Sequence, residues 1–204
     1  SVVGVSETGS GKTLAYVLPI LQILKTMENQ NNPATMEAQP RAAVIVPSRE
    51  LGEQVSKVFK TFTHTTRLRV RTVLVRSAAA VAKQNIKAPF EVLVATPCRL
   101  IQLMDLELIN LCDTRILIFD EADQMLDPAF LPDANRIAEA SARNLQLGMF
   151  SATVSKGTED LIASLFSKAE ILRSKNSQTL GANKSVKTVE TLKTKNIKVK
   201  EHKV

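Results

Sequence analysis

Short apolar runs punctuate this chain, and longer stretches with helical spacing lie between most of them. Val2 to Val5, Ala42 to Val46, Val70 to Val75, Val92 to Ala95, Arg115 to Phe119 and Leu145 to Phe150 are rich in β-branched and aliphatic residues and are predicted to be strands. Apolar positions then recur three and four residues apart over Thr13 to Met27, Arg49 to Phe62, Pro97 to Met104 and Ser155 to Ser167, the spacing of helices that bury one face. Leu14, Val17, Leu18, Leu21 and Leu24 carry that stripe in the first helix, where Pro19 is expected to introduce a bend. Strands that alternate with helices, and that are apolar throughout, predict an α/β domain whose mainly parallel sheet is covered by helices on both faces. The polar stretch Glu28 to Gln39 reads as a surface loop, and no internal repeat is visible.

Composition narrows this picture. A chain of 204 residues with 44% hydrophobic content suits a single domain. The formal charge of +7 is unevenly spread: residues 174–204 hold eight lysines against Glu190 and Glu201, so +6 of it lies in a polar tail with no apolar period. Residues 1–173 are therefore read as the folded domain and 174–204 as a basic linker. No run reaches the ~18 apolar residues that cross a bilayer, so no membrane role is expected. Cys98 and Cys112 have no metal-ligand spacing with His64 or His202 and form no disulfide framework, which fits a reducing, intracellular setting. The chain opens on Ser1, inside an apparent strand, so the reading expects a fragment whose native N-terminus lies upstream.

The strongest chemical signal is Ser6-Glu7-Thr8-Gly9-Ser10-Gly11-Lys12-Thr13, set between a strand and a helix. Gly9 and Gly11 permit the left-handed turns that point backbone N–H groups inward, and the helix adds the positive end of its dipole. Such a loop, from Thr8, Gly9, Ser10 and Gly11 to Lys12 and Thr13, is built for polyphosphate. Lys12 can reach the β and γ phosphates and the Thr13 hydroxyl can ligate Mg²⁺.

The second signal, Asp120-Glu121-Ala122-Asp123, follows the apolar run Arg115 to Phe119. A buried strand delivers these carboxylates to its C-terminal tip, the edge of an open α/β sheet where ligands bind and where the phosphate loop also hangs. Asp120 is assigned to Mg²⁺, and Glu121 to the water that attacks the γ phosphate.

These residues, in this order, resemble the first RecA-like domain of a DEAD-box ATP-dependent RNA helicase. The acidic box is literally Asp-Glu-Ala-Asp, Pro47-Ser48-Arg49-Glu50-Leu51 resembles motif Ia, Thr96-Pro97-Cys98-Arg99 resembles motif Ib, and Ser151-Ala152-Thr153 matches motif III. The resemblance implies a three-layer RecA-like P-loop NTPase fold, with ATP and Mg²⁺ as cofactors. Lys12, Asp120 and Glu121 would be catalytic. Pro47, Arg49, Thr96 and Arg99 would hold the RNA sugar-phosphate backbone without reading sequence, and Asp123, Ser151 and Thr153 would couple nucleotide state to closure of the two domains. Ser48 and Thr96 can also cap the helices that follow them. Aromatics at 4%, without tryptophan, leave little for base stacking, and Tyr16 and Phe130 read as packing residues.

The resemblance makes residues 174–204 the interdomain linker or the start of the second RecA-like domain, and further implies that the adenine-reading glutamine motif lies upstream of residue 1 and the arginine finger of that second domain beyond residue 204. The isolated chain is then expected to be nearly inactive. Three departures from the family pattern stand out: Ser6, Ser77-Ala78 and Cys98 occupy positions where glycines are usual. The implied activity is unwinding of short RNA duplexes or remodelling of ribonucleoproteins. An ATP-gated RNA clamp or assembly scaffold with little turnover, and a DNA-directed relative, are the alternatives.

Overall fold

In a computed structural model that describes residues 1–7, 9–30, 36–74, 86, 88–125, 130–153 and 170–173, the strands are Val2–Val5 (β1), Ala42–Ile45 (β2), Val70–Val73 (β3), Val92–Ala95 (β4), Ile116–Asp120 (β5), Gln146–Ser151 (β6) and Glu170–Arg173 (β7). They form one sheet in the order β3-β4-β2-β5-β6-β1-β7. Every pairing is parallel. The helices are Lys12–Asn29 (α1), Arg49–Thr66 (α2), Pro97–Asp105 (α3), Ala122–Met125 (α4) and Leu131–Glu139 (α5).

The central strands β2, β4 and β5 are buried along their whole length, as an apolar run with no alternation requires. Successive side chains leave a strand on opposite faces and so feed two separate cores. On one face, Ala42, Val44, Val92, Val94, Ile116 and Ile118 meet Tyr16, Val17, Ile20 and Leu24 of α1 and Val55 and Phe59 of α2. On the other, Val3, Ile45, Leu93, Leu117 and Phe119 meet Leu100 and Leu103 of α3 and Ala134 and Ile137 of α5. The result is the helix–sheet–helix sandwich that the sequence pattern predicts.

Differences from the sequence reading are local. α1 continues through Pro19 to Asn29, beyond the start of the polar stretch read as loop. β5 keeps Asp120 as its last residue instead of ending at Phe119. The elements α4, α5 and β7 were not foreseen: α4 is a single turn, α5 buries only Ala134 and Ile137, and β7 owes its place to pairing with β1. The helix expected over Ser155 to Ser167 and the lysine-rich tail lie outside the described residues.

A glycine within β1 also shapes the site. Gly4 pairs with Phe150, and a Cβ on Gly4 would sit 2.8 Å from the Phe150 ring. The bare backbone lets that ring lie over β1 and pack against Tyr16, with centroids 5.1 Å apart and planes at 55°.

Candidate active site

All strands run the same way, so every loop that follows a strand opens on the same edge of the sheet. The motif residues stand there in the order of the strands that carry them: Thr96 after β4, Pro47 after β2, Asp120 at the tip of β5, Ser151 at the tip of β6 and Ser6 after β1. Each step between neighbouring strands is about 4.8 Å. Chain order reverses here, since the connection from β1 to β2 passes over β6 and β5, and such a switch point opens the crevice that binds ligands in α/β sheets.

The loop after β1 has the geometry of an anion cradle. Gly9 and Gly11 adopt φ of 82° and 90°, and Gly11 caps α1 without any side chain taking up the first-turn N–H groups. A Cβ on either glycine would meet nothing within 4 Å, so the demand for glycine is conformational, not steric. The Ser6 N–H donates to the Ser151 carbonyl at 3.1 Å, the Ser6 and Ser10 hydroxyls bond at 2.5 Å, and Lys12 Nζ folds back to the Ser6 carbonyl at 2.5 Å. Thr8 lies outside the described residues.

Asp120 faces this loop with only 3% of its surface exposed. Its Oδ2 accepts from the Tyr16 hydroxyl at 2.7 Å and its Oδ1 from the Glu121 N–H at 3.0 Å. Burial pushes its pKa up, against the pull of those two hydrogen bonds and of Lys12, and the Asp123 charge adds to the rise. The same burial, with Asp120 beside it, pushes the Tyr16 phenol far up. Thr13 and Asp120 thus offer hard oxygen donors around a carboxylate that lacks full charge compensation, a donor set that suits Mg²⁺. Among the described residues no cluster of three or more His, Cys, Asp or Glu could hold a metal by itself.

Glu121 turns the chain from β5 into α4 with φ of 50°, an uncommon conformation for a side-chain-bearing residue and one that concentrates at functional sites. Gln124 Nε2 donates to Glu121 Oε2 at 2.8 Å. Burial, then Asp120 and Asp123, raise the Glu121 pKa, which makes it a stronger base. Asp123 Oδ2 accepts from the Thr153 hydroxyl at 2.8 Å, and the buried Ser151 hydroxyl donates to the Thr153 carbonyl at 2.6 Å.

The other two segments behave differently from each other. Ser48 caps α2, its hydroxyl accepting from the Leu51 N–H at 3.2 Å, while Thr96 makes no side-chain cap on α3, contrary to expectation. Pro47 is half-buried, and Arg49 is exposed, paired with Glu53 at 2.7 Å. Arg99 is 4% exposed, lies one turn before Leu103 on the packed face of α3, and donates to Gln102 Oε1 at 2.6 Å. Ser77 and Ala78 lie outside the described residues.

Sequence reasoning missed the hydroxyl of Tyr16 and the amide of Gln124. Tyr16 does pack, as expected, but its helical spacing gave no sign of a partner 104 residues away. Gln124 had a signal, three residues beyond Glu121, the spacing at which helical side chains meet.

A glycine-rich phosphate loop and paired acids on the carboxyl edge of a parallel sheet define a RecA-like α/β domain of the P-loop class. The chain belongs to the DEAD/DEAH box helicase family, whose family model matches residues 1–161. It is 33% identical over 183 residues to DEAD-box ATP-dependent RNA helicase 39 of Arabidopsis thaliana, covering 85% of this chain and 29% of that protein. It is 31% identical to the probable ATP-dependent RNA helicase YfmL of Bacillus subtilis, covering 87% and 45%. The crystal structure of a hypothetical ATP-dependent RNA helicase from Sulfolobus tokodaii superposes with a TM-score of 0.71 at 28% identity, covering 85% of this chain and 48% of that one. The chain thus spans less than half the length of these relatives.

Proposed function

We propose that this chain is the nucleotide-binding half of the motor of an ATP-dependent RNA helicase that unwinds short duplexes or remodels ribonucleoproteins. The carrying observation is that the phosphate loop after β1, the acids at the tip of β5 and the hydroxyls at the tip of β6 stand on adjacent strands of one edge. Gly9 to Thr13 bind the β and γ phosphates, with Lys12 leaving the Ser6 carbonyl to meet them. Thr13 and Asp120 hold Mg²⁺, whose charge screens the phosphates during transfer. Glu121 orients the attacking water and draws its proton, while Gln124 holds the Glu121 side chain in place. Residues 174–204 serve as the basic linker to a second RecA-like domain or as its start.

RNA runs along the other half of the edge. Arg49 and the uncapped first turn of α3, with the Thr96 hydroxyl, bind sugar and phosphate, and Pro47 shapes the path between them. Arg99, in the first turn of α3, adds its charge to that contact. Closure of the second domain is sensed through Thr153 and Asp123.

The test compares hydrolysis stimulated by RNA and by DNA, in this chain and in the longer protein that contains it. RNA-stimulated turnover confined to the longer protein supports the proposal. Nucleotide-dependent RNA binding without turnover favours the clamp, and equal stimulation by DNA overturns RNA specificity.

A further inference from the structure

We propose that Tyr16 is a positioning residue for the Mg²⁺-binding tip of β5, linking Asp120 to the helix that carries the phosphate loop; this rests on the nucleotide-site reading above. Tyr16 lies one helical turn beyond Thr13, on the same side of α1. Its ring is 2% exposed and braced by Phe150, which lies over Gly4. With the ring fixed, the hydroxyl has a defined place, 2.7 Å from Asp120 Oδ2. The Glu121 N–H takes Oδ1. Each carboxylate oxygen therefore carries one hydrogen bond from the protein and keeps one lone-pair direction for another partner. At neutral pH a phenol is a donor, so this contact favours the ionised carboxylate that a cation needs. α1 begins at the loop that holds phosphate, so the Tyr16 hydroxyl ties the metal-binding carboxylate to the element that carries that loop.

A purely structural role is the competing explanation, since any buried phenol needs an acceptor. The two separate under Tyr16→Phe, which keeps the ring and removes the hydroxyl. A structural hydroxyl would lower thermal stability and leave metal linkage alone. A positioning hydroxyl sets the carboxylate, and losing such a partner typically weakens metal binding by ~10- to 100-fold.

The experiment titrates fluorescent ADP into this chain in EDTA and across a range of Mg²⁺ concentrations. The expected result is unchanged ADP affinity in EDTA and a Mg²⁺ half-saturation at least ~10-fold higher in Tyr16→Phe. An identical Mg²⁺ response in variant and parent overturns the role of Tyr16 and leaves the nucleotide site standing. Absence of ADP binding by the parent overturns both. A measurement without any variant uses the fact that Tyr16 is the single tyrosine of the chain. With ¹³C at its Cζ, one resonance should move on adding Mg²⁺ with ADP and stay nearly still on adding ADP in EDTA. A resonance indifferent to Mg²⁺ while ADP binds overturns the inference even if the variant fails to fold.

Discussion

Thr153 donates its hydroxyl to Asp123 Oδ2 at 2.8 Å, tying the end of β6 to the first turn of α4 at the exposed rim of the site. Two strand tips that carry different parts of the site are thereby joined by one hydrogen bond. In the full-length protein, Thr153→Val and Asp123→Asn should each leave ADP affinity unchanged and reduce RNA-stimulated hydrolysis. If this bond is what they share, the double variant should lose little more than either single one. Full additivity in the measured rates would show that the two residues act separately.

Lys12→Ala removes a loop side chain already drawn over the cradle, at the Ser6 carbonyl. ADP affinity should fall by roughly 10- to 150-fold, because a charge-assisted contact to phosphate is worth roughly 1.5–3 kcal/mol and the loop loses its cation. The melting temperature without nucleotide should barely change. Calorimetric titration beside thermal unfolding distinguishes these outcomes.

The acidic tip stores a pH-dependent cost. Asp120 and Glu121 have folded-state pKa values raised mainly by burial, so their contribution to stability is greatest below the ordinary carboxylate range of about 4 and is lost as pH rises through the raised values. Asp120→Asn should therefore stabilise the nucleotide-free chain at neutral pH by on the order of 1 kcal/mol, or ~2–4 °C, and the gain should shrink toward pH 4. The same variant should bind ADP with weaker Mg²⁺ dependence. Glu121→Gln should instead keep Mg²⁺-dependent affinity and lower hydrolysis in the full-length protein by ~10²- to 10⁴-fold. Equal loss of nucleotide affinity in both variants would refute this division of roles.

Gly4→Ala and Gly9→Ala should fail for different reasons. The first places a Cβ 2.8 Å from the Phe150 ring, and overpacking of this kind costs about 1–3 kcal/mol, read as a drop in denaturant midpoint. The second meets no neighbour but is strained at φ 82°, so its main effect should be on ADP affinity. A Gly4→Ala chain with parental stability would mean that Phe150 yields without penalty.

Arg49 and Arg99 should part company. Arg49→Ala, at an exposed position, should lower RNA affinity in the full-length protein and reduce the salt slope by about one unit without altering thermal stability. Arg99→Ala should lower stability, since the guanidinium is buried on the packed face of α3. Lowered stability with unchanged RNA affinity for Arg99→Ala would take that residue off the RNA path and leave it a packing role.

Much of this architecture is written in local pattern. β-branched runs between helical stripes specify a parallel sheet covered on both faces, and β1 and β4 have the bounds that their apolar runs predict. Because parallel strands share one loop edge, the sequence order of strand, loop and helix was enough to put the phosphate loop and the acids on that edge. Glycines at the loop and acids at a strand tip are local features, so they were readable. Pairings between distant segments were not. The order that sets β5, β6 and β1 side by side, the pairing that recruits β7, the reach of Tyr16 to Asp120 and the burial of Arg99 all depend on which faces meet once the helices pack. A side chain's period along its own helix says which way it leaves the axis. Only the packed sheet decides what it finds there.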